Sequence, residues 1–259
     1  MKSVLECLTT IIVTIGSHPP ATADTFSAEY VVSAIGLRIG KSSFSTTMDK
    51  NKYTINGSLN AAGLATLFSS MSGQLTVTGT TGAKHVTPSR YDVRYHEGDK
   101  KKRTTIGFSN GKIGKVTNQP PLRKKSNWVD HKPGALNAAV DPITATIIPA
   151  SNAGEVCRRT IRVFDGAMRA DIVLSPLRQI PYSTNGYKGE AVICRARFLP
   201  VSGYQTDKKD IIFMRDKSNI EISFAPVGTT GFWAPVMARA STRIGQITVR
   251  ATRFDTPDP

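Results

Sequence analysis

The chain has 259 residues, 39% of them hydrophobic, which is enough to bury a core without metal staples. Its 34 Lys and Arg against 19 Asp and Glu give a formal net charge of +15, favouring anionic neighbours such as lipid head groups or acidic glycans over nucleic acid. Past the amino terminus no segment approaches the ~18–20 apolar residues that span a bilayer, so a transmembrane helix is excluded.

Residues 1–23 read as an export signal. Lys2 precedes the apolar run of Leu8, Ile11, Ile12, Val13 and Ile15, and Ala21-Thr-Ala23 supplies a small-residue cleavage site before Asp24. Cys7 lies inside this segment, and the Val4-Leu5-Glu6 that precedes it does not suit a lipoprotein anchor. The mature chain, 24–259, is expected to be one domain. It keeps two cysteines, an even count suited to an oxidising compartment.

From there the chain reads as short strands broken by turn chemistry, at 26–32, 42–48, 53–59, 74–78, 85–95, 102–108 and 112–117. Gly36 and Gly40 bracket the first turn, and Asn110-Gly111 is a two-residue hairpin signal. Between strands, Asn60 reads as the N-cap of a short helix carrying Leu64, Leu67, Phe68 and Met71 at helical spacing. A connector over 118–150 opens on Pro120-Pro121. It carries Arg123, Lys124, Lys125 and Trp128, then a second short helix over 141–148, capped by Asp141-Pro142, with Ile143, Ile147 and Ile148 as its apolar stripe.

Strands resume at Cys157. Cys157, Ile161 and Val163 share one face, as do Val192, Cys194, Ala196 and Phe198, with Arg158, Arg162, Arg195 and Arg197 opposite. Both cysteines therefore fall on apolar faces, either bonded or as buried free thiols. A bond closing about 37 residues would stabilise the fold by roughly 4 kcal/mol. In a flat three-strand meander the two would stand nearly 10 Å apart, beyond the ~7 Å that a disulfide allows, so bonding argues for curvature. Further strands are expected at 211–214 and 220–224, and 235–241 should pair with 247–251. The motif LRIG at 37–40 is echoed by TRIG at 242–245.

Catalytic signatures are sparse. Residues 36–42 (GLRIGKS) approach a phosphate-binding loop but lack one residue between the glycines and lead into a strand. His85, His96 and His131 have no metal-ligand spacing, and there is no nucleophile elbow. No enzyme, cofactor or metal is expected. Two basic runs stand out as anionic-surface candidates: Lys100, Lys101, Lys102 and Arg103, then Arg123, Lys124 and Lys125. The aromatic stretch 224–235, with Phe232 and Trp233, is either a strand corner packing aromatics into the core or a candidate pocket rim.

Taken together, GLRIG at 36–40, AAGL at 61–64, Asp141-Pro142, the run from Val156-Cys157 to Gly166, and AVIC at 191–194 resemble the domain-of-unknown-function 3108 family of exported bacterial proteins. The resemblance implies a Gram-negative periplasm, a long curled antiparallel sheet similar to β-spiral envelope-integrity proteins and half-barrel lipoprotein carriers, and no assigned catalytic residues. The expected fold is all-β: a long curled antiparallel sheet, a β-spiral or open half-barrel, with two short helices packed on its concave side. The expected function is non-enzymatic binding of a lipid, acyl chain or short peptide in cell-envelope maintenance. Leu64, Leu67, Phe68, Ile143, Ile147, Phe232 and Trp233 are the lining candidates. The alternatives are an interaction module that binds envelope proteins or anionic envelope polymers through its basic surface, and a hydrolase with dispersed carboxylates.

Overall fold

Alternation of side chains decides the first half of the molecule. In β1 (Asp24–Ala34), Phe26, Ala28 and Tyr30 are buried while Glu29 between them is exposed, the period-2 pattern of a strand with one covered face. A meander continues through β2 (Leu37–Asp49), β3 (Lys52–Ala61), β4 (Ser72–Thr81), β5 (Val86–Glu97), β6 (Lys100–Ser109) and β7 (Lys112–Gln119). The computed structural model describes residues 24–63, 71–82 and 84–257. Asn110 and Gly111 turn β6 into β7 with φ of +50° and +69°, as their hairpin signal requires.

After β7 the chain crosses over the sheet through β8 (Trp128–Val129), β9 (Ile148–Pro149) and α1 (Ala153–Val156). A second meander follows: β10 (Arg159–Phe164), β11 (Arg169–Thr184), β12 (Tyr187–Ser202), the short β13 (Tyr204–Gln205), α2 (Lys209–Asp216), β14 (Ile220–Pro226), β15 (Phe232–Thr242) and β16 (Gly245–Asp255). The pairing expected between 235–241 and 247–251 forms, with Ala238 opposite Val249. β16 then pairs antiparallel with β1, joining the two meanders edge to edge. The result is a 14-stranded sheet of order β10-β11-β12-β14-β15-β16-β1-β2-β3-β4-β5-β6-β7, with β9 beside β15 and β8 paired to β13 apart from it.

Four expectations are corrected. First, the sheet is neither curled into a spiral nor closed into a half-barrel. Its order is one open path whose ends, β10 and β7, share no ladder. A sheet of this width must hide its apolar face, and here the connector does so. Ala139, Ile148, Ala150, Val156 and Cys157 are buried against it.

Second, the argument from the cysteines to curvature fails. β10, β11 and β12 are the simple meander, yet Cys157 and Cys194 are bonded with Cα atoms 5.3 Å apart. Cys157 is not in the strand: it caps the carboxyl end of α1, which lies over β12 rather than two strands away from it. The distance is crossed above the sheet, not along it.

Third, the helix expected over 141–148 is one 3-10 turn at Thr144–Thr146. Asp141 lies two residues ahead of the N-cap, Ile143, with its carboxylate accepting from the Ile143 and Thr144 N–H groups, and five of the six residues from Ile143 to Ile148 are β-branched, which disfavours helix. Ile147 is already extended, and Ile148 pairs with Trp233 in the sheet. The expected cap of the helix before Met71 is not one, because Asn60 and Ala61 remain in β3 opposite Lys41 and Gly40. Leu64, Leu67 and Phe68 lie outside the described residues.

Fourth, residues 211–214 form part of α2, not a strand. Asp210 in its first turn and Arg215 in its last complement the helix dipole, a signal that a short apolar run conceals. Among the described residues both α-helices come from the second half of the chain.

A candidate apolar cleft between three packed clusters

The buried side chains do not form one core. One cluster gathers on β1, β11, β12 and β14–β16 around Phe26, Tyr30, Tyr182, Val236 and Phe254. A second surrounds the disulfide, with Val156, Leu174, Val192 and Phe224. The third lies on β3–β6 with Tyr53, Ile55, Val77, Tyr91 and Ile106. Between them lies a cleft of about 840 Å³, within the ~300–1,000 Å³ range of ligand pockets.

Inward-facing residues of both meanders line it. Tyr30, Phe44, Leu75 and Val93 come from β1, β2, β4 and β5, and Ile172, Phe198 and Ile222 from β11, β12 and β14. Met214 of α2 adds a flexible thioether side chain. Among the described residues none that lines it carries a charge, although the chain holds 34 Lys and Arg. The polar groups that do reach the cleft are largely hydroxyls and one amide, among them Ser42, Thr46, Ser58, Gln74 and Tyr95.

One wall is the segment 142–147, held in place by a buried carboxylate. Asp141 is fully buried, and its Oδ1 accepts from the backbone N–H groups of Ile143 and Thr144, both at 2.9 Å. Its Oδ2 accepts from the Thr144 hydroxyl at 2.6 Å. The same hydroxyl lies 2.7 Å from Tyr53 Oη, which pins the wall to β3. Desolvation pushes the Asp141 carboxyl above its ordinary range, against the opposing pull of those hydrogen bonds. Burial likewise raises the phenols of Tyr30, Tyr53 and Tyr91 well above their ordinary value. Tyr30 Oη donates to Pro235 O at 2.7 Å, so the buried hydroxyl is satisfied.

The candidate lining residues separate. Ile143 and Ile147 line the cleft. Phe232 and Trp233 do not: Phe232 pairs with Pro149, and Trp233 packs on the disulfide cluster while its indole N–H donates to Ala150 O at 3.2 Å. They anchor the connector. The strand alternation already placed Phe198 on an apolar face. The same reading of β2 and β4 finds Phe44 and Leu75, since each alternates with exposed neighbours.

The basic runs are partly neutralised. Arg103 makes a two-point pair with Asp92, Nε to Oδ1 at 2.9 Å and Nη2 to Oδ2 at 2.6 Å, and Arg90 and Arg94 share the same carboxylate. These hydrogen bonds hold the Asp92 carboxyl below its ordinary range. Lys102 lies over the Tyr95 ring and beside Glu97, and Lys124 pairs with Asp130. Lys100, Lys101, Arg123 and Lys125 are exposed. The two runs occupy separate places, the start of β6 and the coil before β8. Among the described residues no group of three or more His, Cys, Asp or Glu is placed to hold a metal ion, and no helix is long and apolar enough to cross a membrane.

The family model described as "Protein of unknown function (DUF3108)" matches residues 25–252, from β1 into β16. The chain belongs to the DUF3108 family. No curated protein matches it. A solved structure, that of a hypothetical protein from Chlamydia trachomatis, is similar at 10% identity over 90% of this chain and 89% of that one, with a TM-score of 0.31. For this DUF3108 chain the cleft therefore stands on its own geometry.

Proposed function

We propose that this protein is a non-enzymatic binder of a single hydrophobic ligand, an acyl chain or similarly elongated apolar molecule, in the bacterial periplasm. The observation that carries the reading is the cleft itself: about 840 Å³, walled on several sides by aliphatic and aromatic groups, with no charged residue among the described lining. Apolar burial at ~25 cal/mol per Å² would drive an acyl chain into such a space, while the scattered hydroxyls would orient it without fixing one head group. An uncharged lining also supports binding over acid–base chemistry, which needs titratable groups at the reacting atoms. The buried Cys157–Cys194 disulfide supports an oxidising compartment and so an exported protein.

Native mass spectrometry of the purified protein, followed by solvent extraction, should find a bound hydrophobic species. Ala238 lines the cleft on β15, so Ala238→Trp should displace that species while leaving the fold intact. A ligand-free interior that also fails to take up a fluorescent fatty acid saturably would refute the reading.

A further inference from the structure

Two hairpin tips stand side by side at one end of the sheet. Ala34 on β1 pairs with Ile247 on β16, and Ile35 N donates to Gln246 O at 2.9 Å. The β1–β2 tip is Ile35-Gly36, with φ of +50° and +78°, nearly the geometry of Asn110-Gly111. Asn and Gly accept that conformation readily. A β-branched residue does not, because its Cβ substituents crowd the backbone in the left-handed region.

Burial does not compensate Ile35, which rests against Gly245 but is 70% exposed. Leu37 beside it is 56% exposed, and Ile244 on the neighbouring tip 71%. Three of the five exposed large hydrophobics among the described residues thus share one small end of the molecule. Arg38 and Arg243 flank them, both exposed. Arg243 Nη1 meets Asp210 of α2 at 3.2 Å, a pair open to solvent.

We propose that the paired tips dock on a phospholipid bilayer with anionic head groups, Ile35, Leu37 and Ile244 entering the acyl boundary while Arg38 and Arg243 engage phosphates. Exposed aliphatic side chains at the tips, flanked by guanidinium groups, complement such a surface in both apolarity and charge. A strained, exposed isoleucine where Asn would suit the turn is what a working contact residue leaves behind. The tips also sit beyond one end of the cleft: Val32, three residues before Ile35, and Ala238, four before Thr242, both line it. The docking inference stands apart from the cleft reading, and its test has no ligand readout.

Flotation should be measured with phosphatidylethanolamine–phosphatidylglycerol vesicles and with phosphatidylcholine vesicles, at low and high salt. The wild type should float with the anionic vesicles and poorly with the neutral ones. The Ile35→Gly, Ile244→Ser double variant keeps the net charge, yet should partition at least about tenfold more weakly, including at high salt. Ile35→Gly relieves the left-handed strain, so its melting temperature should not fall; that single variant, expected to lose about threefold or more, keeps the test sound if the double variant misfolds. The Arg38→Gln, Arg243→Gln pair should lose about tenfold at low salt and little at high salt. Wild type that ignores anionic vesicles, or Ile variants that float as well as wild type, would overturn the proposal; the second outcome would leave only the general attraction of a +15 chain.

Discussion

Replacing both Cys157 and Cys194 with Ala tests how the connector is fastened to the sheet. The bond spans 37 residues, for which the chain-entropy relation gives about 4 kcal/mol at 25 °C. Both cysteines are almost fully buried, at 1% and 0% exposure, so losing two sulfur atoms from the packed cluster adds roughly 1 kcal/mol. For a domain of this size each kcal/mol shifts the melting temperature by ~2–4 °C, so the double variant should melt about 10–20 °C lower. The loss should begin locally. α1 is only four residues long, too short to persist unaided, and is otherwise held by its Asn152 cap and by Val156. Limited proteolysis at Arg158 and Arg159 should therefore precede global unfolding in the variant and not in the wild type. Differential scanning calorimetry and trypsin digestion of oxidised protein are the measurements. A fall below about 3 °C, or free thiols in protein prepared under oxidising conditions, would show that the connector is held by packing alone.

Asp141→Ala should cost about 2–4 kcal/mol in urea unfolding, because two backbone donors and the Thr144 hydroxyl lose their acceptor, whereas Asp141→Asn keeps an acceptor and should cost ~1 kcal/mol. Burial raises the Asp141 carboxyl, so its favourable protonated state is retained below the unfolded value near 3.9 and given up as pH rises through the folded one; the advantage of wild type over Asp141→Asn should shrink as pH rises above about 4. Tyr30, Tyr53 and Tyr91 are raised by burial, while the unfolded chain ionises its phenols near pH 10. Their stabilisation is complete below that pH and lost above it, so absorbance at 295 nm should show these phenolates only as the protein unfolds in alkali. A Cβ at Gly79 would collide with Thr87 O and the Tyr53 ring, so Gly79→Ala should destabilise by about 1–3 kcal/mol in the same urea assay. An unchanged midpoint would mean that β4 can shift away from β5.

Local alternation was enough to find most of the strands, because their buried face reads directly in residues such as Phe26, Ala28 and Tyr30, or Val192, Cys194 and Ala196. What alternation cannot express is a partner far along the chain. Nothing in β1 announces β16, so the joining of the meanders, and with it the side-by-side placing of Ile35 and Ile244, was invisible. Short apolar runs failed differently. Residues 211–214 are too few to show a period, and 143–148 carry a helix cap ahead of residues that prefer to be extended. Ile143 and Ile147 border the cleft although a single 3-10 turn replaces the expected helix, since either conformation exposes an apolar edge. Phe232 and Trp233 lie outside the cleft and anchor the connector, and an aromatic stretch reads alike whether it rims a pocket or packs into the core.

The pairing of β1 with β16 also shapes how the molecule is assembled. Each meander can zip up from adjacent hairpins, but the Ser27 hydroxyl meets Asp255 across a separation of 228 residues. Loop closure of that length is slow next to hairpin formation, so two half-sheets should form early and wait on one late docking step. A single nick in the exposed stretch around Arg123–Lys125 would then divide the chain without dividing a meander. The two fragments, expressed separately, should recognise each other through the free edges of β1 and β16 and rebuild the sheet by complementation.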